Sequence, residues 1–539
     1  MLSRRIGRAW GGRAVAAMAI GGCVVAAAGH EGHDEPRPAQ AAAAPTGQVR
    51  GIVFEDLNRN GKRDEGEPGI PAVRVSNGLD LVYTRSDGAY ELPVGEDTIL
   101  FVVKPADWMT PVDEHKLPKF HYIHKPAGSP PLKYAGVAPT GPLPASVDFP
   151  LHRRPEASKF QALIFGDTQP RNQREIDYMA HDVIEPLIGS PALLGVTLGD
   201  IVFDDLSLFG SLNATVGKIG IPWYNVLGNH DMNFDAADDR HSDETFERVY
   251  GPPYYSFDVG RVHFVALDNV VWIAKTGDQD AHYVSGLGER QMQWLVNDLK
   301  LVTPEHLVVL MMHIPLRETK ETAAIFAELA RFPYTLSLSA HAHFQEHVFF
   351  TDKEGWTRAE PHHHVICATV CGSWWGGLKD ENGIPHATMS DGAPNGHNLI
   401  TFDAAQYTIE FRAARRPADH QMSIHAPEVI AAADAGKTLV TANVFAGNEK
   451  TRVQMRVGDG AWADMTPTTA MDPTFVEAVA AEAKIQPPPE NKLPKPTRTP
   501  HLWTATLPSA PSKGTHVIEV RATDMFGLTH TGRRVIRVE

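Results

Sequence analysis

Five short apolar, β-prone runs each end in a polar cluster, and this pattern limits most sharply what the chain can fold into. Residues 161–165 run into Gly166-Asp167-Thr168-Gln169, and residues 193–198 into Gly199-Asp200. Residues 223–227 lead to Gly228-Asn229-His230-Asp231, residues 307–312 to His313, and residues 334–339 to Ala340-His341-Ala342-His343. From Asp167 to Asp200 is 33 residues, from Asp200 to Asn229 is 29, and from His313 to His341 is 28. A strand-helix-strand unit takes about 30 residues. The gaps hold helical periodicity: Ile176, Met179, Val183 and Leu187 share one face, as do Met292, Leu295, Val296 and Leu299, and residues 323–330 suggest a third helix. In such α/β sheets ligands sit beyond the carboxyl ends of the strands, where five clusters can converge on one site.

The residue types in those clusters decide the chemistry. Two carboxylates, two amides and three imidazoles make an oxygen- and nitrogen-rich set without sulfur. It suits Mn, Fe or Zn and disfavours a structural zinc. With one bridging carboxylate, such a set holds two ions ~4 Å apart. The chain as a whole agrees with an enzyme of several domains: 539 residues suggest three or four. A formal net charge of −15 gives no electrostatic footprint for nucleic acid. No apolar run reaches the ~18 residues of a membrane span, and 3 cysteines are too few for a disulfide scaffold.

The ordered set Asp-x-Gln, Gly-Asp, Gly-Asn-His-Asp, His, Ala-His-x-His resembles the calcineurin-like metallophosphoesterase superfamily. Two positions depart from that family's pattern: Gln169 stands for a His, and Ala340 for a Gly. A Gln carbonyl is a weaker, harder ligand, so the departure bears on metal preference. The resemblance implies an α/β fold, a four-layer metallophosphoesterase β-sandwich flanked by helices. It implies two divalent or trivalent ions, with Asp167, Gln169 and His343 on the first, Asn229, His313 and His341 on the second, and Asp200 bridging. Water held between the ions would attack phosphorus in line. His230 would face the leaving group as general acid, oriented by Asp204, with Asp205 as the nearer alternative.

The flanks read as β-structure. Short β-prone runs at 51–54, 73–75, 81–83, 90–92 and 99–103 predict a small sandwich. Between the first two, Asp56, Asn58, Asn60, Asp64 and Glu67 fall at positions 1, 3, 5, 9 and 12 of a calcium-type loop, with Gly61 at the turn and Lys62 offering its backbone carbonyl. A plain Asn-Gly turn is the alternative. Residues 105–150, rich in Pro, Gly and aromatics, look like an ordered connection. Alternating runs after Asp391-Gly-Ala-Pro-Asn395-Gly396-His397 predict a second sandwich, with a Pro-rich loop over 486–500. The whole resembles bacterial three-part phosphoesterases with dedicated N-terminal and C-terminal domains. The expected divisions are a signal peptide over 1–28, a linker over 29–46, an N-terminal β-module over 47–151, the phosphoesterase domain over 158–392 and a C-terminal β-sandwich domain over 393–539.

A strand over 365–370 would hold Cys367 and Cys371 ~13 Å apart, too far for a disulfide. Trp374 and Trp375, flanked by glycines, are candidates to wall a substrate pocket, with core packing as the alternative. Arg4, Arg5, Arg8 and Arg13 precede an apolar stretch over 14–28, as in an export signal of twin-arginine type. Cys23 in Ile20-Gly21-Gly22-Cys23 is a candidate for lipidation, and residues 30–45 read as a linker. The expected protein is an exported phosphoesterase, periplasmic or at the cell surface. It acts on a small-molecule or cell-envelope phosphoester, with no nucleic acid partner and no integral membrane span in the mature chain. The rivals are a phosphodiesterase or pyrophosphatase on nucleotide-sugar or lipid substrates, and a surface-binding protein with a vestigial metal site.

Overall fold

The computed structural model describes residues 47–507 and 511–539. The expected export signal, the linker and Cys23 lie outside them. The chain first forms two four-stranded sheets. One has the order Ala89–Val94, Gly47–Glu55, Phe149–Arg153, Trp108–Met109. The other has the order Leu81–Tyr83, Arg74–Ser76, Thr98–Val103, His121–His124. Alternate residues of Ala89–Val94 are buried, as a strand with one wet face requires. The region expected to be a connection supplies strands to both sheets, so it belongs to the module itself.

The central part is built on two further sheets. In one, Lys159–Phe165, Leu194–Leu198 and Trp223–Val226 run parallel. The other has the order Tyr255–Val259, Val262–Ala266, Leu307–Met311, Tyr334–Ser339, His362–Ile366, Glu346–Phe350. The period of two sorts the side chains. Ala162 and Ile164 join the core shared with Phe264, Val309 and Leu336. Leu163 and Phe165 turn outward to Ile176, Met179, Phe209 and Leu212 on helices Gln173–Met179 and Phe209–Val216. Helices Gly288–Leu299 and Thr322–Leu329 bring Trp294, Leu295, Ile325 and Phe326 to the second sheet. The result is four layers, helix-sheet-sheet-helix, with all five polar clusters at one end.

Two features depart from expectation. Residues Gly396–Asp403 and Gln406–Ala413, expected in the C-terminal sandwich, complete the first central sheet: Gly396–Asp403 pairs antiparallel with Lys159–Phe165, and Phe402 stacks on Phe160. The C-terminal sandwich itself starts with Met422–His425. It also carries a helix, Pro473–Glu482, capped by Asp472. The strand expected over 365–370 is His362–Ile366, because Val370 turns away to bond the Gly166 carbonyl. Cys367 and Cys371 are both buried and free.

Buried charge ties the N-terminal module to the centre. Arg74 bonds Asp258 at 2.6 Å and lies 3.6 Å from Asp298, and His263 bridges the same two carboxylates at 2.7 Å each. Among the described residues, no helix is long and apolar enough to cross a membrane.

Candidate metal centre

Backbone strain gathers where the strands end. Among the described residues fourteen non-glycines have positive φ, and eight of them lie in the polar clusters or just beside them: Asp167, Gln169, Asp200, Asp204, His341, His343, Trp374 and Trp375. Such conformations persist only where the surroundings over-determine them, as at ligand clamps. Two glycines permit the close approach. A Cβ on Gly228 would lie 2.0 Å from the Asp200 backbone nitrogen, and one on Gly199 2.6 Å from His313 Nδ1.

The side chains then converge. Asp200, His313 and His341 each present a ligand atom within 4.8 Å of the others. His313 donates Nδ1–H to the Leu198 carbonyl at 2.8 Å, which turns Nε2 inward. That nitrogen lies 3.0 Å from Asn229 Oδ1, 3.1 Å from His341 Nδ1 and 3.3 Å from Asp200 Oδ1. Most of these atoms carry lone pairs, so something positive has to sit among them, either a proton on His313 or a cation. Burial alone would lower the His313 pKa, but Asp200 and Asp167 lift it to about 9. Asp200 is held well below the usual carboxylate range, the surrounding imidazoles outweighing its burial.

The other half shows the same demand. His343 donates Nδ1–H to the Gly372 carbonyl at 2.8 Å, and its Nε2 faces Asp167 Oδ1 across 4.0 Å. That gap is too wide for a hydrogen bond. Asp167 Oδ1 is buried without a partner, while Oδ2 accepts the His341 N–H at 3.0 Å. Burial, reinforced by the Asp200 charge, pushes the Asp167 pKa well up. Burial lowers His341 to about 3 and His343 to about 4, so both rings are neutral, as ligands must be. An unpartnered buried carboxylate oxygen among neutral imidazoles fits divalent cations. Gln169 donates its amide N–H to Asp200 Oδ2 at 2.9 Å, with Oε1 toward Cys371 Sγ. A half-turn of the amide would bring its carbonyl to the same point.

His230 stands at the edge of this cluster. Its backbone N–H bonds Asp200 Oδ1 at 2.9 Å, and its Nδ1 meets Asp204 Oδ1 at 2.6 Å. Asp205 instead accepts from Ser207. Phe203 stacks on the His230 ring, centroids 4.4 Å apart at 22°, and the Arg171 guanidinium lies 5.8 Å from the Phe203 centroid. Arg171 also bonds Glu175 and the Trp374 carbonyl.

Sequence reasoning assigned no role to Phe203, Arg171 or Asp231. Asp231 is fully buried and accepts the N–H groups of Ile201, Val202 and Gly228, pinning two of the polar loops together. Burial and the Asp200 charge lift it to about 7. Its place in the Gly-Asn-His-Asp run was the available signal.

The two tryptophans part ways. Trp374 is half-buried and lies against His343 at 4.4 Å. Trp375 is 1% exposed and spends its indole N–H on the Thr168 carbonyl at 3.0 Å. Trp375 is therefore packed behind this loop, the second of the two places the sequence left open for it. Its far side only borders a cleft of about 250 Å³ shared with Tyr178, Lys379 and Asn491 of the Pro-rich loop. Asn491 accepts the Gly377 N–H and donates to Glu175.

The Asp56–Glu67 loop closes on itself. Asp56, 2% exposed, accepts the N–H groups of Asn60 and Gly61, and Glu67 those of Leu57 and Asp64. Asn58 and Asn60 donate to Asp64. Lys62 donates its N–H to Asn60 Oδ1.

Three family models match the chain: calcineurin-like phosphoesterase over residues 160–345, the N terminal of calcineurin-like phosphoesterase over 57–133, and the C terminal of calcineurin-like phosphoesterase over 364–530. No curated protein matches. Among solved structures, purple acid phosphatase PPD1 from yellow lupin (Lupinus luteus) seeds is similar at 12% identity and a TM-score of 0.34, covering 64% of this chain and 67% of its own.

Proposed function

Because this chain is a calcineurin-like phosphoesterase, with that family's dedicated N- and C-terminal domains, we propose that it is an exported enzyme that hydrolyses a small or cell-envelope phosphoester at the Asp167–His343 centre. The observation that carries this reading is the convergence of Asp200, His313 and His341. Asp167, Gln169 and His343 would hold one ion, Asn229, His313 and His341 the other, and Asp200 would lie between them. Bound there, two divalent cations neutralise phosphoryl charge and supply a nucleophile at neutral pH.

The chain's own groups do the rest. His341 and His343 are held neutral by burial, and Gly372 and Leu198 aim His343 and His313 inward. Asp231 fixes the loops that carry Asp200 and Asn229. His230 offers Nε2–H to the leaving-group oxygen. Asp204 holds its other nitrogen, and Phe203 keeps the ring from turning.

The test is turnover of paired mono- and diesters by the metal-stripped protein after addition of Mn. Activity on either class that returns with Mn supports the reading. Its absence on both, with metal bound, would leave a surface-binding protein with a vestigial site.

We also read the Asp56–Glu67 loop as a calcium site, with Asp56, Asn58, Asn60, Asp64, Glu67 and the Lys62 carbonyl as ligands. Calcium is expected to raise the melting temperature of the whole chain, and Asp56→Ala to remove that rise. No shift in the parent protein would leave the loop an ordinary turn.

A further inference from the structure

Three aromatic rings lead away from the metal centre. Tyr283, 37% exposed, sets its ring edge-on to His341, centroids 6.2 Å apart at 84°. Trp272 lies directly across from Tyr283 in the two-stranded ribbon of Val270–Ile273 and His282–Ser285. Residues opposed across an antiparallel pair share a face of the ribbon. Phe234, 40% exposed, packs on Trp272 at 5.5 Å. Phe234 follows His230 by four residues, so the strip starts at a metal-site ring and ends beside the loop that carries the general acid.

The strip is held in advance of any ligand. Trp272 donates its indole N–H to the Ala236 carbonyl at 3.1 Å and its backbone N–H to Asp239 at 2.6 Å. Trp272 is itself buried, so it gives the ribbon its anchor, and that role does not need Phe234 or Tyr283 in water. Two large rings left half in solvent, on a rigid ledge touching a catalytic centre, suit a group arriving with the substrate. Ring faces gain most from a flat π-system, and stacking is tolerant of which ring arrives.

We propose that this strip is a substrate subsite that takes a flat aromatic ring carried by the phosphoester, as a nucleobase or an aryl group would be. The proposal rests on the phosphoesterase reading. The experiment compares phenyl, adenosine and glycerol phosphates, each as the monoester and as its methyl diester, in the parent and in Phe234→Ala, Tyr283→Ala and Tyr283→Phe. Metal content is checked in each. The KM for the aromatic esters is expected to rise about tenfold relative to the glycerol ester in both alanine variants, and Tyr283→Phe to restore it. A rise for phenyl or for adenosine alone identifies the ring. An equal change on all three esters overturns the subsite.

If the parent turns over none of them, the phosphoesterase reading falls, and calorimetry with phosphonates judges the strip by itself. Phenylphosphonate binding more tightly than methylphosphonate, with the difference lost in Phe234→Ala, supports the subsite. Equal binding overturns it.

Discussion

Asp200→Ala is expected to reduce turnover at least about a thousandfold and to remove bound metal, while the protein stays folded. Asp200 lies between the two halves of the centre. Its Oδ1 accepts the His230 N–H and faces His313, and its Oδ2 takes the Gln169 amide. It reaches both sets, so its loss unmakes both. Asp167 and Asp231 are buried nearby, and the Asp200 charge pushes both of their pKa values up. Removing that charge relieves this repulsion, but it also takes from His313, His230 and the Gln169 amide the carboxylate that they face. The metal-free variant should therefore melt somewhat below the metal-free parent. Added Mn should raise the melting temperature of the parent and leave the variant where it was. A variant that bound metal and hydrolysed esters at the parent's rate would mean that these residues are not the centre.

The sequence showed the centre more clearly than its surroundings, and the reason is physical. Each ligand directly follows an apolar run, so the local pattern marks both the strand and the loop at its end. Asp167, Asp200 and Asn229 are each placed by a strand that its own residues specify. The Gly396–Asp403 strand had no such marker. It pairs with Lys159–Phe165 across more than two hundred residues, and nothing local distinguishes that partner from the C-terminal strands that follow. The strand expected over 365–370 is cut short where the Gly166 carbonyl captures the Val370 N–H, a partner far off in the sequence. Helix Pro473–Glu482 was legible in principle, from Asp472 at the cap and Pro473 at the first turn, amid a β-rich stretch. Phe234, Trp272 and Tyr283 are scattered along the chain, and only the fold makes them one surface.

His230→Ala is expected to keep metal and to lose rate selectively. A general acid contributes roughly 10²- to 10⁴-fold, and only where the leaving oxygen needs a proton. The loss should therefore be large for alkyl phosphoesters, whose alkoxides leave poorly, and small for nitrophenyl esters, whose phenolate leaves unaided. The structure supplies the means of holding the acid. Asp204 bonds Nδ1 at 2.6 Å, which directs the other nitrogen outward, and the carboxylates of Asp200 and Asp204 outweigh burial and lift the ring to about 8. Phe203 covers one face at 4.4 Å. Phe203→Ala should reproduce part of the same leaving-group dependence, because a ring free to turn donates less often, while metal content and the KM for nitrophenyl esters stay near the parent's. That profile separates positioning of the acid from damage to the centre, which would slow every ester alike. Equal losses on alkyl and nitrophenyl esters in His230→Ala would reassign the imidazole from proton donor to phosphoryl binding.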